Sequence, residues 1–319
     1  MDIVTLVPAF KPQYLPDLLN SLRLQTRPAR QIIFSDDSPD GAYRATLMSD
    51  ALAPLRHGLQ IECHEGPRRG GYPNMLHLLD LWAGRSALVH MLLDDDVIYP
   101  DFYERHLVAH ASSHFSCTIS RRWTASERGQ PLAGQPVPAA LVNVAHRLVS
   151  LDAAVVFMTT AAECTNWFGE FSNAVFRADA VTVMRQPRFE GVSYAGLWDL
   201  GAFMAASLQA PIGHLQDHLG YFRTGGAGNS GQVFGPYMKA AHLGYAALCI
   251  GGQRLGRYSQ AQVFASLGAI ARAMAQRYAS QADMLPFIEL LPRMAAGQPG
   301  AEEEFVTIWH DYLRLHDFY

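Results

Sequence analysis

Asp94, Asp95 and Asp96 stand side by side at the end of an apolar run, Ala87-Leu88-Val89-His90-Met91-Leu92-Leu93. The run reads as a buried strand and the acids as its C-terminal edge. Adjacent carboxylates repel one another, and holding them near a core is costly without a compensating charge. A divalent cation is the simplest compensation, because hard cations such as Mg²⁺ and Mn²⁺ take oxygen ligands. In an open α/β sheet, ligands sit at the carboxyl ends of the strands. The triplet therefore has the make-up of a metal site that holds something negatively charged. The competing reading is a solvated acidic turn, with Asp101 capping the helix that follows. Arg68 and Arg69 beside Gly70-Gly71 could meet phosphate oxygens together with the amides of a helix start, or could simply be solvated. Arg223, just ahead of the glycines at 225, 226, 228 and 231, is a second candidate for an anion. His214 and His218 are candidates to complete a metal shell, although a lone histidine is more often structural.

These side chains need elements to place them. Ile3 to Val7 is a short β-rich run that Pro8 ends. Leu15, Leu18, Leu19 and Leu22 recur at the spacing of an amphipathic helix. Gln31 to Phe34 reads as a second strand, closed by the turn Ser35-Asp36-Asp37-Ser38-Pro39-Asp40-Gly41, and Ala42 to Leu52 as a helix. Leu59 to Cys63 alternates as a third strand, and Pro73 to Trp82 is a helix with proline at its start. The fourth strand then delivers the triplet. Strand and helix units alternating at this size predict a doubly wound, mostly parallel sheet flanked by helices. Further on, Cys117 to Ser120 and Ala153 to Thr159 read as strands, Arg121 to Pro138 as a long loop, and Leu197 to Leu208 as a helix. Helical patterns dominate beyond about Phe234, in Gln262 to Tyr278 and Glu302 to Leu315. The domains expected are thus 1–232, holding the sheet, and 233–319, a helical C-terminal extension.

The 319 residues are 49% hydrophobic and 17% charged, enough for one large core or one core with an appendage. A formal net charge of -4 without a basic tract argues against nucleic acid as a partner. Cys63, Cys117, Cys164 and Cys249 form no C-x-x-C pair, which fits reduced thiols in a cytoplasm better than zinc or a disulfide framework. No signal-peptide pattern opens the chain, and no uncharged run is long enough to span a bilayer.

Three segments in order resemble the family 2 glycosyltransferases. Val4-Thr5-Leu6-Val7-Pro8-Ala9-Phe10 with Leu18 to Thr26 is similar to the family's opening, Ile32 to Gly41 to its second-strand acidic turn, and Leu92-Leu93-Asp94-Asp95-Asp96-Val97 to its Asp-x-Asp motif. More faintly, Gly169 to Arg177 is similar to the segment that runs under the acceptor. Trp198-Asp199 is similar to the pair that carries the catalytic base, with Trp198 where the first acid usually stands. Tyr221 to Gly226 is similar to the loop that closes over the diphosphate.

The resemblance implies a GT-A-like fold and an inverting, metal-dependent transfer of a sugar from a nucleotide diphosphate donor of UDP or dTDP type to a hydroxyl acceptor, in glycan or polysaccharide biosynthesis. It implies Asp96 as the likelier metal ligand and Asp94 on the ribose or the metal, with Asp95 paired elsewhere or at the donor. Pro8, Ala9 and Phe10 would line the base pocket, with Asp36 and Asp37 on the base or its ribose, and with Arg69, Asn74 and Arg223 near the donor. Asp199 would be the general base, with Glu190 in reserve, and its plainer reading is a helix N-cap. Trp167, Asn173 and Trp198 would meet the acceptor, since the C–H faces of sugars suit aromatic planes, although tryptophan is more often packing, as Trp123 also could be. The acceptor is left open between a glycan, a lipid-linked glycan at the inner membrane face, a protein and a small molecule. A binding protein that kept the fold and lost turnover is a rival. A sugar nucleotidyltransferase is a weaker one, because Ala9-Phe10-Lys11-Pro12-Gln13 lacks the glycines and charge that hold a triphosphate.

Overall fold

The computed structural model describes residues 1–142, 146–224 and 231–318. Its strands are β1 (Ile3–Ala9), β2 (Gln31–Asp36), β3 (Ile61–Glu65), β4 (Leu88–Met91), β5 (Val97–Ile98), β6 (Cys117–Ala125), β7 (Pro131–Gly134), β8 (Leu148–Leu151), β9 (Ala174–Arg177), β10 (Arg188–Phe189), β11 (Val192–Ser193) and β12 (Ile212–Arg223). One sheet runs β3-β2-β1-β4-β9-β6-β12-β5, with β7 on β6 and β8 on β12. The first four strands are parallel, as are β6 and β12, while β9 runs against both its neighbours. The expected doubly wound, mostly parallel α/β sheet is what forms.

The local reasons are visible. Leu15, Leu18, Leu19 and Leu22, the predicted stripe, are all buried on the helix Leu15–Arg23. Parallel strands covered on both faces need apolar runs, and Ile3, Val4, Leu6, Val7, Leu88, Val89 and Met91 are buried accordingly. The expected helix from Ala42 to Leu52 instead breaks, because Ser49 is extended. Ala42–Leu47 and Ala53–Arg56 form separately, and Arg56 turns back to bond the carbonyls of Leu47 and Ser49. Ala153–Thr159 is a helix, not a strand. Val156 and Phe157 are buried while Val155 and Met158 are exposed, which is a helical face hidden inside a short apolar run. Within the expected loop from Arg121 to Pro138, β6 continues and pairs antiparallel with β7. That edge strand keeps Leu132 65% exposed, so it carries no burial pattern for a sequence reading to detect.

Two compact units interleave along the chain. The first is Met1–Asp152, Phe168–Arg185 and Ala206–Thr224, and the second is Ala153–Trp167, Gln186–Ala205 and Gly225–Tyr319. This division differs from a single cut at 232 for a packing reason. Trp309 Nε1 donates to the Ser193 carbonyl at 2.7 Å, and a β-carbon on Gly196 would sit 2.4 Å from the Ala240 carbonyl oxygen. The second unit is built on the helices Pro236–Arg254, Gln260–Tyr278, Leu285–Ala295 and Ala301–Leu315. Among the described residues, no helix is long and apolar enough to cross a membrane.

Candidate functional site

The acid triplet follows β4 in the first unit, at the carboxyl ends of the parallel strands. Asp94 is buried, and its Oδ2 accepts the backbone N–H groups of Phe10 and Lys11, each at 2.6 Å. Burial first, and the charge of Asp95 next, push its pKa up to about 7, against the pull of those two amides. Asp95 pairs with the Lys11 ammonium. Burial works against the charge on Lys11, but the three acids outweigh it and its pKa rises. Asp96 is buried; Oδ1 takes a long bond from the Arg223 N–H at 3.4 Å, the Ser172 hydroxyl favours its charged form, and among the described residues Oδ2 has no hydrogen-bond partner. Burial, then Asp95, hold its pKa well above the usual carboxylate range.

An orphaned oxygen on a buried carboxylate fits a divalent cation, which supplies the partner and the charge that the protein does not. Among the described residues, no group of three or more His, Cys, Asp or Glu is arranged to hold a metal by itself. Such a cation would take one or two protein carboxylates and complete its shell from phosphate oxygens and water, as Mg²⁺ commonly does. His214 is buried on β12 and held neutral by that burial, its pKa lowered to about 3, with Gln216 at 3.3 Å from its ring. His218 stacks on Trp123, ring centroids 4.1 Å apart.

Several predicted donor residues turn out to serve the backbone. Asp36 Oδ1 accepts from the N–H and hydroxyl of Ser38, and Oδ2 from the Arg44 N–H. Asp37 accepts from the amides of Arg68 and Gly70, tying the end of β2 to the turn before the helix Gly71–Trp82. Asn74 is buried and donates to the Ser35 carbonyl at 3.0 Å, which leaves its Oδ1 buried without a partner. Arg69 is exposed. Ala9 is buried and Pro8 half-buried, but Phe10 is 54% exposed at the end of β1, so it is no part of the core and is open to a planar ligand. A cleft of about 420 Å³ is lined by Asp36, Asp40, Arg44, Met48, Glu65 and Arg68. Arg223 has its guanidinium bonded within the protein. It is committed to Asp95, Glu127, Asp17 and Tyr221. The glycines at 225, 226 and 228 lie outside the described residues.

Asn173 is likewise spent. Its Oδ1 accepts the Glu170 N–H, and its Nδ2 donates to the carbonyls of Ser120 and Phe168, both at 2.7 Å. This lock frames a pair that the sequence reading missed. Glu170, half-buried near Asp96, is gripped by Arg122, whose guanidinium lies 4.7 Å from the Phe222 ring centroid. Burial raises the pKa of Glu170, and Arg122 opposes it. The one sequence signal was Gly169, whose φ of +96° no other residue adopts readily, and where a β-carbon would lie 2.8 Å from Arg122 Nε.

In the second unit, Asp199 sits in the first turn of the helix Trp198–Ser207, half-buried, with Oδ1 2.7 Å from the Leu200 N–H. Trp198 and Trp167 are buried, and Trp167 donates to the Thr159 hydroxyl at 3.1 Å. Glu190 is exposed at the tip of the β10–β11 hairpin, where it and Gly191 have φ of +44° and +82°. That is tight-turn geometry, so the reserve base is a turn residue.

No family model and no curated protein matches the chain. Solved structures do. Crystal structures of S. aureus TarS residues 1–349 match it in complex with UDP-GlcNAc, with a TM-score of 0.56 and 15% identity over 98% of this chain and 92% of that one. The same TarS segment in complex with UDP gives 0.53 and 14% over 99% and 91%. A longer TarS chain gives 0.52 and 16% over 98% and 55%. The chain has a GT-A-like α/β fold.

Proposed function

We propose that this chain is a nucleotide-sugar-dependent glycosyltransferase, which moves a sugar from a UDP- or dTDP-type donor to a hydroxyl with inversion, in glycan or polysaccharide biosynthesis. The observation that carries the reading is Asp96: a buried carboxylate with an oxygen left unpaired, in an acidic triplet at the carboxyl end of a sheet shaped like that of TarS, which binds UDP-GlcNAc. Asp96, with Asp94, would hold Mn²⁺ or Mg²⁺. Such a cation stabilises the negative charge that develops on the departing diphosphate. The exposed ring of Phe10 would cover the base, a role supported by the bond of its N–H to Asp94 of the triplet. Asn74, with its unpaired Oδ1, has an acceptor to offer a base or ribose. Asp199 is assigned the general base that takes the proton of the attacking hydroxyl. By function, the catalytic region is assigned to 1–232, which includes the Ala153–Trp167 and Gln186–Ala205 stretches of the second unit, and the helical extension to 233–319, in a cytoplasmic protein.

The test is a screen of UDP- and dTDP-sugars for hydrolysis or transfer, with and without Mn²⁺. Metal-dependent release of nucleoside diphosphate is expected. Donor binding without any turnover would identify a binding or scaffold protein, and the absence of both would overturn the reading.

A further inference from the structure

Arg223 ends β12 with a side chain only 3% exposed. Its Nε donates to the Asp95 carbonyl at 2.7 Å, and Nη1 to the Glu127 carbonyl at 2.9 Å. Nη2 serves the Asp17 carboxylate and the Tyr221 hydroxyl, the latter at 3.2 Å. The rings of Tyr14 and Tyr221 lie over the guanidinium, at 4.8 and 5.3 Å. The Arg223 backbone N–H adds the 3.4 Å contact to Asp96 Oδ1. One planar fork thus joins the acidic loop, the first helix and the β6–β7 turn. The turn is shaped for this. Gly129 has φ +75°, and a β-carbon there would lie 2.5 Å from the Tyr221 hydroxyl and 3.2 Å from Arg223 Nη1. Tyr14 reaches the same turn through the Glu127 carboxylate. Lys11 meanwhile holds the Asp95 carboxylate.

We infer that Arg223 is the positioning residue of the acidic loop, and not a phosphate ligand. Asp95 spends its carbonyl on Arg223 and its carboxylate on Lys11, and the flanking Asp94 and Asp96 take their places from it. A guanidinium suits this work because its donors leave in fixed directions within one plane, which an ammonium cannot copy. To meet a phosphate, Arg223 would have to abandon four acceptors at once. The consequence for metal and donor rests on the glycosyltransferase reading, whereas the clasp itself does not.

The test compares wild type with Arg223→Lys, using UDP and Mn²⁺ as probes. Calorimetry should show the affinity for UDP in the presence of Mn²⁺ falling roughly tenfold or more, and the affinity for UDP without metal unchanged. Equal losses with and without metal would make Arg223 a phosphate contact and overturn the inference. A second arm needs no ligand: amide exchange at residues 94–97 should quicken roughly tenfold in the folded variant. Unchanged exchange there overturns the clasp. Quickened exchange in a protein that binds no UDP keeps the clasp and removes the glycosyltransferase reading instead. Should Arg223→Lys fail to fold, Asp17→Asn, at the exposed end of the clasp, should show changes of the same sign, roughly threefold, and no change would overturn the inference.

Discussion

A carboxylate that is buried, crowded by a neighbouring acid and one hydrogen bond short is unstable as an anion, and Asp96 is in that position. Binding a cation would remove the instability, so its contribution should appear only when metal is present. Asp96→Asn keeps the shape and loses the charge. It should fold at least as well as wild type in metal-free buffer, and lose metal-dependent UDP affinity and turnover. Calorimetry with and without Mn²⁺ checks this, and affinity indifferent to both metal and the substitution would end the metal role. Asp199 poses a separate question, because an acid in the first turn of a helix is also favoured for structural reasons, by the helix dipole. Asp199→Asn should retain donor binding and lose turnover by roughly 10² to 10⁴-fold, the usual range for a general base. Normal turnover in that variant would leave Asp199 as a first-turn acid of that helix.

The helix Phe102–Ser112 carries an element-scale consequence. His106 and His110 lie on it, and with His90 of β4 they are buried in the first unit. Burial lowers the pKa of His90 and of His110 to about 4, and that of His106 well below the usual value. A group whose folded pKa is depressed is protonated first in the unfolded chain. The stability it contributes is present above its unfolded pKa and is lost as pH falls from there towards the folded value. Each such histidine lowers stability by about 1.4 kcal/mol per pH unit between the two values. Asp94 acts in the opposite sense. With its pKa raised to about 7, it holds a proton in the folded state that the unfolded chain releases, so its contribution is lost as pH rises towards 7. Asp96 and Glu170, whose pKa values are also raised, act with Asp94, and His214, lowered to about 3, acts with the other histidines, so four imidazoles stand against three acids. Denaturant melts from pH 7 down to 4.5 should therefore show falling stability, and His106→Gln with His110→Gln should flatten that acid limb. An unaltered slope in the double variant would mean that these imidazoles do not govern it.

At the scale of the whole molecule, a ligand that binds only the folded chain stabilises it with the logarithm of its concentration over Kd, by about 2.7 kcal/mol at a hundredfold excess, and so raises its melting temperature. UDP and Mn²⁺ together should raise it by more than the sum of either alone, read by thermal shift; simple additivity would argue against a site in which metal and diphosphate complete one another. The order of strands and helices through β4, the leucine stripe of the first helix and the arrival of three acids at a strand end were all legible in the sequence, because periodicity and turn chemistry are local. The partners of the polar side chains were not. Asp94 is held by amides 84 and 83 residues away and Arg223 by a carbonyl 128 residues away, and no spacing encodes those distances. Asp36, Asp37 and Asn173 also bond to backbone that the sequence does not point to, which is the common fate of a short polar side chain inside a fold. Arg122 and Glu170, neither suspected, meet only because Gly169 lets β6 and the segment before β9 approach. The sequence by itself determined the alternating sheet and its acidic edge through short-range patterns of burial. Only the tertiary structure decided which acids are spent and which oxygen, that of Asp96, is left over, because hydrogen-bond satisfaction is settled between segments that the chain keeps far apart.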